Sequence, residues 1–391
     1  MPRKLAEGVY EVGVIDWDRK LFDELIPLPH GTSYNAYLIK GSEKTALIDT
    51  VDIGRGAELI QNIRSLGVDK IDYVIANHGE QDHSGSIPDV LEAFPMAKVV
   101  TNQKCKDLLK ALLHVQEEKF IVISDGEKIS LGDKTLTFIF APWVHWPETM
   151  LTYLFEEKIL FPCDLFGSHL ATSKLFVESR CEIEAHAKRY YAEIMMPFRN
   201  NIVAHLEKLK QFEIKMIAPS HGPIYSKPEI ILELYREWVS DKPANKVLVL
   251  YVSMHGSTRK AIFHFVNKLV SLGMSVKQID LTHADLGEIA IELVDSATVI
   301  LGTPTVLTGA HPAAVYAAYL LNALRPKTKF VGLIVSYGWG GRAIEQIKRM
   351  LTNIKPALLE PVYIHGLPAE KDYEAIDKLA EEIKRLHGTE I

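Results

Sequence analysis

The chain of 391 residues has few cysteines: it contains only Cys105, Cys163 and Cys181, and none of them forms a C-x-x-C pair. This scarcity argues against a disulfide framework, a zinc ribbon and a cysteine-ligated iron–sulfur cluster, and it favours a reducing compartment. The first residues also lack the apolar core of a signal peptide. We therefore expect a cytoplasmic protein.

Long apolar runs and an excess of basic residues are absent as well. No stretch reaches the roughly twenty apolar residues that a membrane helix needs, so we expect no membrane partner. The formal net charge is −6 and charges of both signs are mixed along the chain, so we expect no nucleic-acid partner. An apolar content of 47% over this length predicts an enzyme-sized protein with a large core.

A polar segment at 240–246, containing Pro243, predicts a domain boundary, with domains at 1–243 and 244–391. The first domain alternates β-branched apolar runs with helical patterns, which predicts an α/β fold in layers. Its predicted strands lie at 35–39, 45–48, 74–76, 99–101, 136–140 and 159–162, and its predicted helices at 56–66, 86–93 and 201–212. The second domain has strand-like runs at 247–252, 276–279, 298–302, 330–335 and 361–363 with helices between them, which predicts a doubly wound open parallel sheet.

The most informative motif lies at residues 78–83, directly after the apolar run 73–76. It places four potential metal ligands, His78, Glu80, Asp82 and His83, within six positions. A loop at a strand end can direct alternate side chains to one point, and imidazoles mixed with carboxylates suit a transition metal. The alternative is a chance cluster on a solvated loop.

Three further segments place a potential ligand just past an apolar run, at His145, Asp164 and His221. If these strand ends converge on one edge, the site has four imidazoles and three carboxylates, more than one tetrahedral ion uses. Two metals fit, with Asp164 placed to bridge them. Two divalent ions, three carboxylates and one hydroxide sum to a neutral site, which is the least unfavourable state to bury.

This pattern, H-x-E-x-D-H followed by His145, Asp164 and His221, with Asp49 ending an upstream strand, resembles the metallo-β-lactamase superfamily. Hydrolases of that superfamily usually carry histidine where this chain has Glu80. The carboxylate makes the site richer in oxygen and shifts the expected metal from zinc toward iron. The flavodiiron proteins carry the same substitution.

The resemblance implies a ligand set. His78, Glu80 and His145 would hold one iron, and Asp82, His83 and His221 the other, with Asp164 as the bridge. His83 is the least certain ligand, because the matching histidine turns away from the metal in some relatives. We also expect Asp49 to orient a ligand or loop, or to be only a turn residue, and His30 and His169 to be candidates for the substrate pocket.

The second domain opens with a strand and a small-residue loop that leads into a helix, without a Walker lysine or a G-x-G-x-x-G motif. Backbone N–H groups and hydroxyls of such a loop can bind a terminal phosphate. Two further loops follow the third and fourth strands, and the fourth-strand loop carries Tyr337 and Trp339 among glycines, which suits a flat aromatic ring. These loops resemble those of flavodoxin and imply FMN as the cofactor. The candidate FMN-binding residues are Ser253, Met254, His255, Gly256, Ser257, Thr258, Thr303, Pro304, Thr305, Ser336, Tyr337, Gly338, Trp339, Gly340 and Gly341.

The order of the two domains resembles that of the flavodiiron proteins over essentially the whole chain. The resemblance implies a metallo-β-lactamase-like αβ/βα sandwich followed by a flavodoxin-like sheet, binding two iron ions and FMN. The implied activity is reduction of dioxygen to water, of nitric oxide to nitrous oxide, or of both. Two ferrous ions and a reduced flavin together hold the four electrons that dioxygen requires.

The resemblance also implies partners. The chain ends at Ile391 without a rubredoxin-like C-x-x-C module, so a separate donor such as rubredoxin is expected. Flavin and iron lie on different domains, and relatives bring them together in a head-to-tail homodimer, sometimes within a tetramer.

Two other functions stay open at this point. One is a dinuclear zinc hydrolase fused to a flavodoxin domain, since fold alone does not fix function. The other is an electron carrier with a closed structural metal site. The sequence does not decide between dioxygen and nitric oxide.

Overall fold

A computed structural model describes residues 1–391 and divides them into two compact units, Met1–Val239 and Ser240–Ile391. The division falls just before Pro243. Each unit is described separately below.

The first unit contains sixteen short strands. They are β1 (Arg3–Ala6), β2 (Val9–Glu11), β3 (Val14–Asp16), β4 (Leu21–Phe22), β5 (Ile26–Pro27), β6 (Thr32–Tyr34), β7 (Tyr37–Lys40), β8 (Thr45–Ile48), β9 (Tyr73–Ile75), β10 (Lys98–Thr101), β11 (Phe120–Val122), β12 (Lys128–Ser130), β13 (Thr135–Phe140), β14 (Met150–Leu154), β15 (Ile159–Phe161) and β16 (Met216–Ile217).

Seven α-helices accompany these strands, with single 3₁₀ turns at Glu117–Lys119 and Met196–Phe198 and a π-helical turn at Tyr191–Met195. The helices are α1 (Gly56–Ser65), α2 (Gln81–Ser84), α3 (Ile87–Ala93), α4 (Gln103–Leu113), α5 (Arg180–Tyr190), α6 (Arg199–Leu209) and α7 (Glu229–Val239).

Two sheets form the centre of this unit, one of seven strands in the order β1-β2-β7-β8-β9-β10-β11 and one of five in the order β12-β13-β14-β15-β16. The alternation of side chains along a strand explains the layers. Leu47 and Val74 face a core shared with α1, α3 and α4, whereas their neighbours Ile48 and Ile75 face a second core shared with the other sheet. Both faces of the first sheet are therefore buried, which accounts for its nearly continuous apolar strands.

Strand direction brings the candidate ligand loops to one edge. Strands β8 and β9 are parallel, as are β15 and β16, and β13 runs in the same direction as β15 because β14 is antiparallel to both. The loops after β9, β13, β15 and β16 therefore leave from corresponding ends of their sheets.

The second unit is a parallel sheet with helices. Its strands are β17 (Ala244–Tyr251), β18 (Ser275–Asp280), β19 (Ser296–Val306), β20 (Gly309–Ala310), β21 (Phe330–Tyr337), β22 (Ala357–Leu358) and β23 (Val362–His365). Its helices are α8 (Ser257–Ser271), α9 (Leu286–Leu293), α10 (Pro312–Leu324), α11 (Ala343–Met350) and α12 (Glu370–Glu390).

The parallel strands have the order β18-β17-β19-β21, and both β22 and β23 pair with β21. This is the doubly wound order of flavodoxin-like sheets. The last strand is divided into two pieces, with Pro361 between them. Proline has no N–H to donate to a sheet ladder, which explains the break.

The observed elements follow the predicted ones with shifts of a few residues. One difference lies at 35–39, where Asn35 and Ala36 are outside any strand and the chain divides between β6 and β7. Asn35 is buried there because its side-chain amide donates to the carbonyl oxygens of Pro219 and Gly222. No helix of the structure has the length and apolar character needed to span a membrane.

Candidate dinuclear metal centre and cofactor cleft

The seven predicted ligands come together at one edge of the first unit. His78 and Glu80 follow β9, Asp82 and His83 lie in the short helix α2, and the other three sit in the loops after β13, β15 and β16. They form two groups that could each hold an ion, and the ligand atoms of each group lie within 4.8 Å of one another.

The first group consists of His78, Glu80, His145 and Asp164. Glu80 Oε2 lies 3.2 Å from the Nε2 of His78 and 3.0 Å from the Nε2 of His145. Asp164 Oδ2 lies 3.6 Å from the same atom of His78 and 3.7 Å from that of His145. Two imidazoles and two carboxylates thus surround one point.

The second group consists of Asp82, His83 and His221. The Nε2 of His221 lies 3.1 Å from Asp82 Oδ2, and the Nε2 of His83 lies 3.2 Å from Asp82 Oδ1. The ring of His83 is directed into the group, although it was the least certain of the predicted ligands.

Asp164 connects the two groups. Its Oδ1 lies 2.9 Å from the Nε2 of His83 and 3.4 Å from that of His221, while its Oδ2 faces His78 and His145. One carboxylate therefore offers one oxygen to each group, which is the arrangement of a bridging ligand.

The electrostatics of the site follow from this crowding. Burial alone would lower the pKa of His78, but hydrogen bonding to Glu148 and Glu80 raises it well above its ordinary value. Burial likewise opposes the charged form of His221, yet the adjacent carboxylates of Asp164 and Asp82 raise its pKa to about 10. Burial would raise the pKa of the Asp164 carboxyl, but the charge of His83 and the adjacent imidazoles of His221 and His78 hold it well below its usual range. In the absence of metal ions, protons on the imidazoles thus balance the negative charge of the carboxylates.

The residues fit a pair of metal ions. Both carboxylate oxygens of Asp82 and both ring nitrogens of His83 are buried without a hydrogen-bond partner, even though their neighbours are close. Buried polar groups are normally satisfied, and a short distance without hydrogen-bond direction indicates ligand atoms aimed at a common point. An ion at each point would satisfy them.

Surrounding residues fix the ligands. The Nδ1 of His78 donates to Glu148 Oε1 at 2.7 Å, and the Nδ1 of His221 donates to the carbonyl oxygen of Ser33 at 2.7 Å. Bonds of this kind set the tautomer so that Nε2 faces the metal. Asp49 accepts bonds from the backbone and side-chain amides of Asn77, the residue before His78, at 2.8 and 2.9 Å. Asp49 therefore orients the ligand loop.

Sequence reasoning missed two residues at this site. Glu148 belongs to the loop after β13, but its partner His78 is seventy positions away in the chain, so no local spacing marks the pair. Tyr190 is the last residue of α5, and its buried hydroxyl donates to Asp164 Oδ1 at 2.7 Å. A buried aromatic at the end of a helix gives no signal of that role.

Of the two histidines considered for the pocket, only His169 contacts a ligand. Its buried ring lies 5.0 Å from the ring of His221, and its Nδ1 lies 2.9 Å from the hydroxyl of Thr32. His30 is exposed and contacts the ring of His186 instead.

The second unit presents a cleft at the carboxyl ends of β17, β19 and β21. A cavity of about 210 Å³ lies there between three loops and the segment after β23. Ten of the fifteen predicted FMN residues line it, namely Ser253, Met254, His255, Ser257, Thr258, Pro304, Thr305, Ser336, Tyr337 and Gly338. Gly366, which was not predicted, also lines it because it follows the last strand at the same edge.

The remaining predicted residues have other positions. Gly340 and Gly341 line a smaller adjacent cavity of about 150 Å³, together with Tyr363. Thr303 is buried, and its hydroxyl bonds to backbone groups of the same loop. The side chain of Trp339 is 78% exposed and lines neither cavity, so its stacking role stays a prediction.

The phosphate-binding part of the cleft has the expected backbone. Gly256 has φ +92° and immediately precedes α8, and a Cβ built there would meet open space. Ser253 Oγ accepts from the N–H groups of Gly256 and Arg259, which closes the loop over the helix start. The first turn of α8 has no acidic side chain, so the positive end of this helix can attract an anion. The cleft therefore fits a flat ligand that carries a phosphate.

Comparisons with known proteins agree with both sites. The model of a family described as the ODP family beta lactamase matches residues 32–222. A nitric oxide reductase of Moorella thermoacetica is 37% identical, and the match covers 98% of each chain. Among solved structures, the rubredoxin oxygen:oxidoreductase of Desulfovibrio gigas is similar with a TM-score of 0.95 and 31% identity, covering 99% of each chain. A flavodiiron protein of Giardia intestinalis gives a TM-score of 0.90 with 26% identity, covering 99% of this chain and 97% of that one.

These matches confirm the predicted fold class, a metallo-β-lactamase-like unit followed by a flavodoxin-like unit. They also decide against the zinc hydrolase, because the relatives that match along the whole chain are named as reductases and oxidoreductases. On the evidence of the 37% identical relative that the chain covers almost completely, this chain belongs to the flavodiiron proteins, a family of oxidoreductases.

Proposed function

We propose that this protein reduces dioxygen, nitric oxide or both at a diiron site supplied with electrons through FMN. The observation that carries the proposal is Asp164, whose two oxygens face two separate ligand groups, one of which contains Glu80. A nitrogen-rich zinc site would carry a histidine in the place of Glu80. The names of the relatives as nitric oxide reductase and rubredoxin oxygen:oxidoreductase support the same chemistry.

In this proposal the domain 1–243 holds the irons and the domain 244–391 holds FMN. His78, Glu80 and His145 bind one iron, Asp82, His83 and His221 bind the other, and Asp164 bridges them. When bound, the iron pair and the flavin supply an electron reservoir and open positions for a diatomic gas.

The chain's own residues hold and orient these groups. The carboxylates Glu80, Asp82 and Asp164 balance most of the metal charge in a buried site. The bonds from His78 to Glu148 and from His221 to Ser33 keep each Nε2 directed inward. The hydroxyl of Tyr190 donates to Asp164 and can hold a proton beside the bridge.

The flavin would lie in the cleft around β17, β19 and β21, with its phosphate at the start of α8. Ser253, Ser257 and Thr258 line the cavity at that end, and Tyr337 offers an aromatic face in the loop after β21. No lysine or arginine lines the cavity, so backbone N–H groups and hydroxyls would bind the phosphate.

Electron transfer requires a flavin close to an iron pair, and the two sites belong to separate units of the chain. We propose a head-to-tail homodimer, or a tetramer built from it, in which each flavin serves the partner's iron site. We propose rubredoxin or a similar small protein as the donor, because one structural relative is named for it. Sedimentation combined with activity tests the oligomer, since a fully active monomer would contradict it.

The test of the proposed function compares wild-type protein with Glu80→His and with the matched surface variant Glu43→His. Iron, zinc and flavin are quantified, and gas consumption is measured with reduced rubredoxin as donor. We expect two irons and one FMN per chain in the wild type and in Glu43→His, with gas consumption in both. A wild-type protein that contains zinc and consumes neither gas when reloaded with iron would overturn the proposal.

A further inference from the structure

The two ligand groups contain the same types of ligand, but their histidines donate hydrogen bonds to different kinds of acceptor. Each group has two imidazoles and one carboxylate of its own and shares Asp164. Behind His78 lies a carboxylate, because its Nδ1 donates to Glu148 Oε1 at 2.7 Å. Behind His221 lies a neutral group, because its Nδ1 donates to the carbonyl oxygen of Ser33 at the same distance.

Glu148 is built into this position. Its side chain is fully buried, and the same Oε1 accepts from the backbone N–H of Gly79 at 3.1 Å. Its backbone carbonyl accepts from the side-chain amide of Asn102 at 2.6 Å, and Asn102 also caps α4 by accepting from Cys105 N–H. The carboxylate is thus fixed from both ends, which a casual contact between a loop and a histidine would not show.

Glu148 Oε1 accepts two hydrogen bonds, from the Nδ1–H of His78 and from the backbone N–H of Gly79, and bonds of this kind stabilise a charged carboxylate. A buried negative acceptor draws the Nδ1 proton toward itself and increases electron density on the imidazole. A carbonyl oxygen does this less because it carries no net charge.

We propose that Glu148 is a positioning residue that makes the two metal sites unequal. Acting through His78, it makes the site of His78, Glu80 and His145 the tighter of the two and the one that is oxidised first. The inference rests on the proposed function, because it concerns iron in these two sites. In the step concerned, one electron leaves a ferrous pair for a ferric oxidant such as ferricyanide, and the resulting ferric ion is the one bound by His78.

The test uses the full chain with Glu148→Gln, which keeps the size and one acceptor oxygen but removes the charge. The matched control is Glu11→Gln, which removes the charge of a buried carboxylate that pairs with Arg3 and that contacts none of the ligands. Metal-free protein is titrated with cobalt(II), and iron-loaded protein is titrated through its oxidation states while the electron paramagnetic resonance signal of the one-electron-oxidised pair is recorded.

The wild type should bind cobalt in two unequal steps. In Glu148→Gln the tighter step should weaken by about tenfold to a hundredfold while the other is unchanged, the range typical of losing a partner behind a metal ligand. The two reduction potentials should move closer together, so the maximum of the paramagnetic signal should fall. Glu11→Gln should keep the wild-type separation of the two potentials.

Three results would overturn the inference. They are unchanged affinities and potentials in Glu148→Gln, the same change in Glu11→Gln, and oxidation of the wild type in one unresolved two-electron step. The last needs no variant and so does not depend on how well Glu148→Gln folds. Failure of the proposed function is distinct, since it would appear as wild-type protein that consumes neither gas when loaded with iron and FMN.

Discussion

Metal binding to the apoprotein should release protons, because three of the ligand histidines have raised pKa values when no metal is present. The pKa of His221 is raised to about 10, that of His78 well above its ordinary value, and that of His83 is raised as well. An imidazole must be neutral to ligate through Nε2. Loading both sites near pH 7.5 should therefore release about two to three protons.

The affinity of the apoprotein for metal ions should depend on pH for the same reason. Each proton released makes the overall binding constant about tenfold larger per pH unit, so the product for two ions should rise by about two to three log units per pH unit. The window begins near the ordinary histidine pKa of 6.5 and extends to about 10, where His221 loses its proton in the folded apoprotein.

The stability of the metal-free protein should fall as the pH rises, whereas the affinity for metal should increase. The pKa of His221 is higher in the folded than in the unfolded state, so its stabilisation is complete below pH 6.5 and disappears as the pH rises through about 10. Asp164 has a lowered pKa, so its contribution is present above its ordinary pKa of 3.8 and disappears on further acidification. Metal-free protein should thus lose stability above pH 6.5, where metal affinity increases.

Isothermal titration with zinc, in buffers of different protonation enthalpy, measures the number of protons released. His221→Gln should reduce it by about one. The matched control His264→Gln changes a histidine that bonds to Asp377 away from the site and should leave the number unchanged. Release of less than one proton for two ions, or an affinity that is flat between pH 6.5 and 9, would refute the reasoning.

Three other changes have defined outcomes. Glu80→His should raise zinc occupancy and abolish gas reduction, as metal analysis and gas electrodes would show; unchanged iron content and activity would remove the argument from this carboxylate. Tyr190→Phe removes a buried hydrogen bond to the charged Asp164 and should destabilise the metal-free protein by about 1.5–3 kcal/mol in urea unfolding, whereas an unchanged midpoint would show that the bond contributes nothing. Thr258→Val removes the 2.8 Å bond to Ser336 at the cofactor cleft and should weaken FMN binding by about tenfold, measured by flavin fluorescence, and equal affinity would place the phosphate elsewhere.

The metal site could be predicted from sequence to an unusual degree because its ligands follow strands. Each of His145, Asp164 and His221 stands just past an apolar run, and parallel strands end at a common edge. The structure brings all the predicted ligands together there. The sequence could not predict which oxygen of Asp164 faces which ligand group, because that depends on the side-chain torsion angles of Asp164.

The residues that sequence reasoning missed share one property, which is that their partners are distant in the chain. Glu148 bonds to His78 and Tyr190 to Asp164, and neither pair has a fixed sequence separation that would mark it. For the glycine-rich loop after β21, the sequence predicted that both Tyr337 and Trp339 contact a flat ring. Tyr337 lines the cavity and Trp339 is exposed, so the contact of Trp339 with the ring stays a prediction.

The central claim is that a diiron pair fed through FMN reduces a diatomic gas, and parallel oxygen- and nitric-oxide-electrode assays test it most directly. Protein with quantified iron, zinc and flavin is supplied with reduced rubredoxin under otherwise anaerobic conditions. The account predicts donor-dependent consumption of at least one gas, in proportion to the iron and FMN content, and the faster reaction identifies the preferred substrate. Consumption of neither gas by iron-loaded, flavin-replete protein, with a donor shown to reduce its flavin, would contradict the account.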